Sequence, residues 1–556
     1  MAVADAEVAV LIVGGGPVGL TARALLERWG VRSLLVEKHG ELSPFPRARL
    51  VNVRSMEIYR SLGLTDGITA AAFAPEYGRV RFRDAMRDPD FATAAMVGVN
   101  APVPESPVIG ALTSQDRLEP TLLAAAGGPM RFGVELVGLI EGENGEGTEG
   151  EGEGAGGGEE GGSVVAVLLD RRSGEESRVR ARYVLAADGA NSTVRQRLDI
   201  GTTGPGAMAA FTTVVFDADL GLWCAQRPAG VYFTTHGLFA PLYPEGGWAW
   251  FVPTPDDPAH TDWSGLVSHA LGPGADVRVD VVRVQHWTMN AFVAERFRHG
   301  RALLAGDAAH AIPITGGLGM NTGIADVHNL CWKLAGVLHG WAGPGLLDTY
   351  GTERLPVAHR TLSQAVANTQ LMLDVRNRRS EQLRSGAAAP PDQLELPWSE
   401  QYFAQLGLVL GVAYDSGAVL TDGSAPPDPP GTDTGAGAGT DYVPTARPGH
   451  RMPHLWLTQS RSTLDAFGEW FTLLTPDPAH WEQQKAIAPW PLRVEALPPE
   501  HLGLCGIGPQ GALLIRPDGH VGARWRDRPP GDSALQHALA GLTGVTAAAR
   551  GVRGRG

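Results

Sequence analysis

Three short segments, far apart in the chain, carry residue types and spacings suited to phosphate and ribose recognition. The first is Gly14-Gly15-Gly16-Pro17-Val18-Gly19. Gly14 permits a tight turn, Gly16 lets the backbone approach a pyrophosphate, and Gly19 allows a helix to pack closely on a strand. Phosphates then rest over the free N–H groups of that helix's N-terminus, and Pro17 inside the turn belongs to the same candidate set. Glu37 lies eighteen residues beyond Gly19, placed to accept hydrogen bonds from an adenosine ribose, with Lys38 beside it. The second segment is Asp188-Gly189-Ala190-Asn191-Ser192. The third is Gly306-Asp307-Ala308-Ala309-His310, which continues through Pro313 and Gly316 to Gly319-Met320-Asn321-Thr322-Gly323. Each has a plainer reading, as a structural turn or a loop with a capping aspartate.

The elements that must position these segments follow from periodicity. Residues 8–13 form a short apolar run, as expected of a buried parallel strand. A helix with Leu20, Ala24 and Leu25 on one face follows, then a second strand at 33–36. The Asp188 segment follows another strand and introduces a helix over 194–198. The Gly306 segment ends an apolar strand and leads to a helix with Ile324, Val327, Leu330, Leu334 and Leu338 at helical spacing. Between 201 and 289 the pattern changes to alternation, with antiparallel strands expected at 211–216, 231–233, 248–252 and 277–284. The fold class is thus α/β and α+β: a Rossmann-like dinucleotide domain beside an antiparallel sheet.

Composition bounds the rest. With 556 residues, two or three packed units are expected. A net charge of −14 argues against a nucleic-acid partner. Eight of the glutamates sit in the Gly/Glu tract 141–162, which separates strand-like segments at 132–140 and 164–169 and is expected to be a flexible, solvated insertion. Cys224, Cys331 and Cys505 form no metal-spaced pair, so neither a metal site nor a disulfide framework is expected. The apolar run at Val8 breaks at Gly14, too early for a signal or membrane segment, which leaves a cytoplasmic protein as the expectation.

The ordered set of Gly14–Gly19, Asp188-Gly189 and Gly306-Asp307 resembles the class A flavoprotein aromatic monooxygenases, of the para-hydroxybenzoate hydroxylase fold. The resemblance implies FAD, with NADPH or NADH as a transient co-substrate and O2. Asp188 is then associated with both FAD and NAD(P)H binding, and Asp307 meets the ribityl chain. Gly306 belongs to the same cofactor-binding set, and Pro313, Gly319, Met320 and Asn321 cradle the isoalloxazine, where a helix N-terminus would stabilise negative charge on the reduced ring. The segment Pro46-Arg47-Ala48-Arg49 resembles the family's stretch beneath the flavin, with Arg47 facing the cofactor. Gln115, in Ser114-Gln115-Asp116-Arg117, resembles a glutamine near the ribityl phosphate. Arg47, Arg49 and Pro313 make up the implied catalytic set. The chemistry implied is hydroxylation of an electron-rich ring through a flavin C4a-hydroperoxide.

Gly449-His450-Arg451-Met452-Pro453 and the stretch Leu514–Arg524 point to the larger branch of phenol, dichlorophenol and polyketide hydroxylases, which ends in a thioredoxin-like domain. Lacking Cys-x-x-Cys, that domain is expected to be structural or a dimer surface, in a monomer or homodimer. The implied division is 1–78, 111–200 and 290–384 for FAD, and 79–110 with 201–289 for substrate. A linker region follows over 385–449, and 450–556 form the last domain.

One departure matters. In the phenol hydroxylase branch an aspartate near the Arg-Ala pair helps deprotonate the phenol, and Arg49 stands at that position here. An already acidic, extended hydroxyquinone needs less help, which favours a polyketide-type aromatic substrate over a simple phenol. Tyr232, His236 and His286 are candidates for orienting it, and Phe239, Trp248 and Trp250 for stacking on it, with core packing the plainer reading of all six. Trp248-Ala249-Trp250-Phe251-Val252-Pro253 resembles the signature of flavin-dependent halogenases. Those enzymes need a lysine that this chain, empty of lysine between Lys38 and Lys333, does not supply. Baeyer–Villiger oxygen insertion and a non-catalytic FAD-binding protein are the remaining alternatives.

Overall fold

Strand Ala6–Val13 pairs in parallel with Ser33–Glu37 on one side and Glu176–Ala186 on the other, and Val13 ends level with Ala186. Ala302–Leu304 and Met130–Phe132 extend this parallel core outward on each side. The central strands are buried throughout their C-terminal halves, which explains their continuous apolar runs. Helix α1 (Pro17–Arg28) returns over them with Leu20, Ala22 and Leu26 fully buried. A computed structural model describes residues 5–141, 162–274, 276–385, 405–424, 442–485, 489–529, 531 and 533–545. The expected flexible insertion at 141–162 falls almost wholly outside them. Its flanks, Val134–Glu141 and Val164–Asp170, pair as an antiparallel hairpin.

The second sheet also has eight strands, antiparallel except where Val231–Thr234 runs parallel to Arg79–Phe82. Its long central pair is Thr202–Asp217 and Asp280–Ala294, so the strand expected at 277–284 begins later and runs much further. A strand absent from the expectation, Gly237–Tyr243, sits between Val231–Thr234 and Gly246–Pro253. Pro241 inside it masks the signal, because proline withholds a ladder donor. Helix α2 (Trp263–Leu271) covers one face through Val267, Ala270 and Leu271.

Helices α3 (Gly319–Leu338) and α4 (Asp348–Ser385) join the parallel sheet to a third layer. That layer is a four-stranded sheet in the order Leu492–Ala496, Phe471–Thr475, Ala512–Ile515, Val521–Trp525. The first two strands are parallel and linked by helix Pro478–Lys485, and the last two form a hairpin followed by helix Ala534–Thr543. This is a thioredoxin-like arrangement. Within the stretch expected to be a linker, Leu408, Leu410, Tyr414 and Ala418 are buried, so residues 405–420 act as packing rather than as a tether.

Apolar and ionic contacts both hold the third layer to α3 and α4. Trp332 stacks on Trp341 and meets Phe471 edge-on. Beside them Arg516 forks onto Glu353 at 2.6 and 2.9 Å, while Lys333 at 2.7 Å and Ser416 at 2.6 Å complete the same carboxylate. Burial opposes the charge on Glu353, but Arg516 and Lys333 outweigh it and hold the carboxyl well below the usual range. A carboxyl depressed in this way contributes stability above the ordinary carboxylate range that is lost as pH falls. Removing one partner of such a buried group leaves the others uncompensated. Arg516→Met is therefore expected to cost about 3–5 kcal/mol. Denaturant unfolding followed by tryptophan fluorescence measures the loss, and a cost below about 1 kcal/mol would contradict it.

Candidate active site

Three turns meet at the C-terminal edge of the parallel sheet, outside the carboxyl ends of its strands. Gly14 (φ +106°) packs so tightly that a Cβ there would lie 2.3 Å from the Ala187 carbonyl oxygen. A Cβ on Gly19 would fall 2.0 Å from the Gly14 oxygen, so α1 can approach the turn only with glycine. At Gly16 a Cβ would meet nothing within 4 Å, leaving open space where the helix begins. The first bond of α1 runs from Leu20 N–H to the Gly16 carbonyl, so the Val18 and Gly19 amides have no partner within the helix. No acidic side chain occupies its first turn. Pro17 fills the first helical position, where its missing N–H is harmless. Glu37 accepts the Gly15 N–H at 2.7 Å and the His39 N–H at 2.9 Å, while Lys38 is exposed.

Asp188 accepts from Ser192 Oγ at 2.6 Å and from the Val194 N–H at 3.2 Å, so its side chain serves the short helix Thr193–Arg197. Asp307 is different. It is exposed at its turn and has no hydrogen-bond partner among the described residues. Gly306 (φ +60°) rests on Val18, tying this turn to the start of α1. The N-terminus of α3 lies beside it, since a Cβ on Gly319 would sit 3.9 Å from Asp307 Oδ1. The first α3 bond, from Thr322 N–H to Leu318, leaves the Gly319, Met320 and Asn321 amides without helical partners.

The other expected residues divide between structural and open positions. Asn321 spends its side chain as a staple, donating to the Leu50 and Gly317 carbonyls and accepting the Asn52 N–H. Pro313 is buried. Gln115 accepts the Ala48 N–H at 3.3 Å and donates to Glu119 at 2.7 Å, so it braces the 43–48 segment. Burial pushes Glu119 up to about 7, against its hydrogen bonds from Gln115 and Ser43. Arg47 is exposed beside this segment. Arg49 instead bridges to the second sheet, donating to Gly230 O at 3.0 Å and to Pro241 O. Burial pushes its guanidinium down to about 10.

Those bridges show which face of the second sheet looks toward the turns. Arg283 donates to Pro44 O and covers the Phe45 ring, from the same face. On that face stand Val215, Phe233, Leu238, Ala240, Ala249, Phe251, Gln285 and Trp287, as the strand registers require. The six side chains proposed from sequence to meet substrate lie on the opposite face. Tyr232, Phe239 and Trp250 are buried, with Trp248 packed against the same apolar cluster beneath α2. His286 bonds Thr212 and sits by Trp263 of α2; His236 packs on His269 of the same helix. Neighbouring residues on a strand point to opposite faces, so an aromatic pattern without the register selects the wrong face as readily as the right one.

Comparison with known proteins identifies the arrangement. The family described as FAD binding domain matches residues 7–365, and that described as aromatic-ring hydroxylase, C-terminal, matches 445–545. The chain belongs to the FAD-binding aromatic-ring hydroxylases. Among relatives of this hydroxylase, aklavinone 12-hydroxylase RdmE of Streptomyces purpurascens is 34% identical, over 97% of this chain and 98% of that one. The flavin-dependent monooxygenase PieE, solved with FAD and substrate, superposes with a TM-score of 0.85 at 31% identity, covering 98% of this chain and all of PieE. Aklavinone-11 hydroxylase, solved with FAD and aklavinone, gives 0.79 at 33% identity over 98% of this chain and all of its own. The hydroxylase is an FAD-dependent monooxygenase acting on an aromatic substrate with NAD(P)H and O2. Unpaired amides at two helix starts, the open space at Gly16 and the accessible Asp307 suit an anionic flavin dinucleotide. Among the described residues no helix is long and apolar enough to cross a membrane.

Sequence reasoning did not single out Glu119, Asp326, Arg195 or Arg283. Asp326 left a signal, as a carboxylate within the apolar stripe Ile324–Leu330. Two outcomes are expected. Trp250→Ala should cost about 3–5 kcal/mol of stability by opening a core cavity. Phe251→Ala should leave stability nearer wild type and raise KM for the aromatic substrate. Thermal melts and steady-state kinetics on both variants check this, and the reverse pattern would place the substrate under α2. A carboxyl raised in the folded state contributes stability below its unfolded value that is lost as pH rises through about 7. Glu119→Gln should therefore keep its stability between pH 5 and pH 8, each about 2 units from the half-titration point or less, better than wild type in paired melts.

Proposed function

We propose that the substrate is a fused-ring hydroxyquinone of the polyketide type and that the residues above seat FAD. The observation that carries the substrate reading is the sheet face turned toward the Asp307 region. Ala240 and Ala249 at its centre are fully covered, half-buried Val215, Phe251 and Trp287 stand around them, and no carboxylate stands among these positions. The half-buried apolar and aromatic side chains of this face suit contact with a ligand of several fused rings. Arg49, held by two carbonyls, presents positive charge where a base would otherwise sit; it favours a ring hydroxyl that is already ionised. Relatives that act on aklavinone support the same class.

For the cofactor, the α1 amides would hold the pyrophosphate, Glu37 the adenosine ribose and Asp307 the ribityl chain. The α3 amides would face the negative end of the ring. FAD, once reduced by NAD(P)H, supplies the oxygen-activating chemistry. The protein's part is to hold the substrate ring against the 47–49 segment and to keep water out with the apolar sheet face.

Asp307→Ala is expected to weaken FAD binding by about tenfold or more, since a hydrogen bond to a charged group is lost. Titration of apo-protein measures it, and undiminished affinity would defeat the ribityl role. A panel of single-ring phenols and fused-ring hydroxyquinones tests the substrate class through NADPH and NADH oxidation with oxygen uptake. Fused-ring compounds should stimulate oxidation most, and a preference for simple phenols would overturn the proposal.

A further inference from the structure

Asp326 lies on α3 with no exposed surface, an expensive position for a carboxylate unless its partners are well placed. Its Oδ2 accepts the Gly306 N–H at 3.1 Å and His310 Nε2 at 2.7 Å. Its Oδ1 accepts Arg354 Nε from α4 at 2.7 Å. Gly306 and His310 are the two ends of the turn that carries Asp307. One buried carboxylate therefore grips the turn on both sides of the exposed one. Arg354 is itself fixed by Thr322 O at 3.2 Å and Tyr414 at 3.1 Å, so the grip is anchored in α3 and in the packed 405–420 segment. From the other side, Arg195 donates to Ala308 O at 2.9 Å.

The turn needs such restraint. Gly306 takes a left-handed conformation, and the turn meets α1 and α3 through contacts that tolerate little displacement. A loop held only by its own backbone would let the Asp307 carboxylate wander by more than a hydrogen bond allows. The His310 ring is held from two sides, by its Nε2 bond to Asp326 at 2.7 Å and by the Phe297 ring at 6.0 Å between centroids.

We infer that Asp326 is the positioning residue for Asp307, acting through the Gly306 amide and the His310 ring to hold the carboxylate where it meets the ribityl chain of FAD. This rests on the ribityl reading of Asp307. Asp326 touches neither cofactor nor substrate, and its effect reaches them through the turn.

The test uses full-length apo-protein titrated with FAD and, separately, with ADP, which reports on the Gly14–Gly19 end alone. Asp326→Asn should weaken FAD about tenfold and leave ADP within about twofold. In an Asp307→Ala background it should add less than about twofold, because both changes remove one interaction. Equal weakening of FAD and ADP, unchanged FAD affinity, or full additivity with Asp307→Ala would overturn the inference. If Asp307→Ala itself leaves FAD affinity intact, the ribityl reading fails and the inference with it. If Asp307→Ala weakens FAD while Asp326→Asn does not, the inference alone fails. Should Asp326→Asn not fold, His310→Asn removes the Nε2 contact and is held to the same outcomes.

Discussion

Backbone meets backbone at the edge of the parallel sheet at distances that leave no room for a side chain. Gly14 lies against Ala187, Gly19 against Gly14, and Gly323 against Gly306, where a Cβ would fall 2.8 Å from the Gly306 Cα. These contacts bring α1, α3 and three separate turns to one place, and the rest of the molecule is arranged around it. Two helix starts then present unpaired amides to the same region, and a polar ligand replaces the partners the helices lack. The second sheet and the thioredoxin-like layer act on this centre from outside, one through Arg49 and Arg283, the other through α3 and α4.

Much of this centre was legible in the sequence because close approach demands a specific residue. A glycine at 14, 19 or 306 is a local requirement, and the acidic residue at the end of the second strand is read from its spacing. The substrate side was not legible in the same way. Which face of a strand looks inward depends on pairing partners tens of residues away and on bulges such as the shift near Val215. Trp248 and Trp250 looked functional because they are large and aromatic, the same properties that suit them to the core under α2. Asp188 and Asn321 sit where the motifs placed them, yet their side chains are occupied by helix capping and by stapling the 50–52 segment.

The buried charges divide by the same logic. Glu353 and Arg516 join helix α4 to the last sheet, and the adjacent Arg354 reaches Asp326 behind the Asp307 turn. Two neighbouring residues on one helix thus tie the C-terminal layer to the turn at the heart of the site. That layer carries one cysteine, Cys505, which is free and buried.

The central claim is that this sheet face presents a fused aromatic ring for hydroxylation. Turnover under 18O2, with the product solved by NMR and mass spectrometry, tests it most directly. The account predicts one 18O atom as a new hydroxyl on an intact ring carbon. An 18O atom built into a ring-expanded ester, or a product without label, would contradict it.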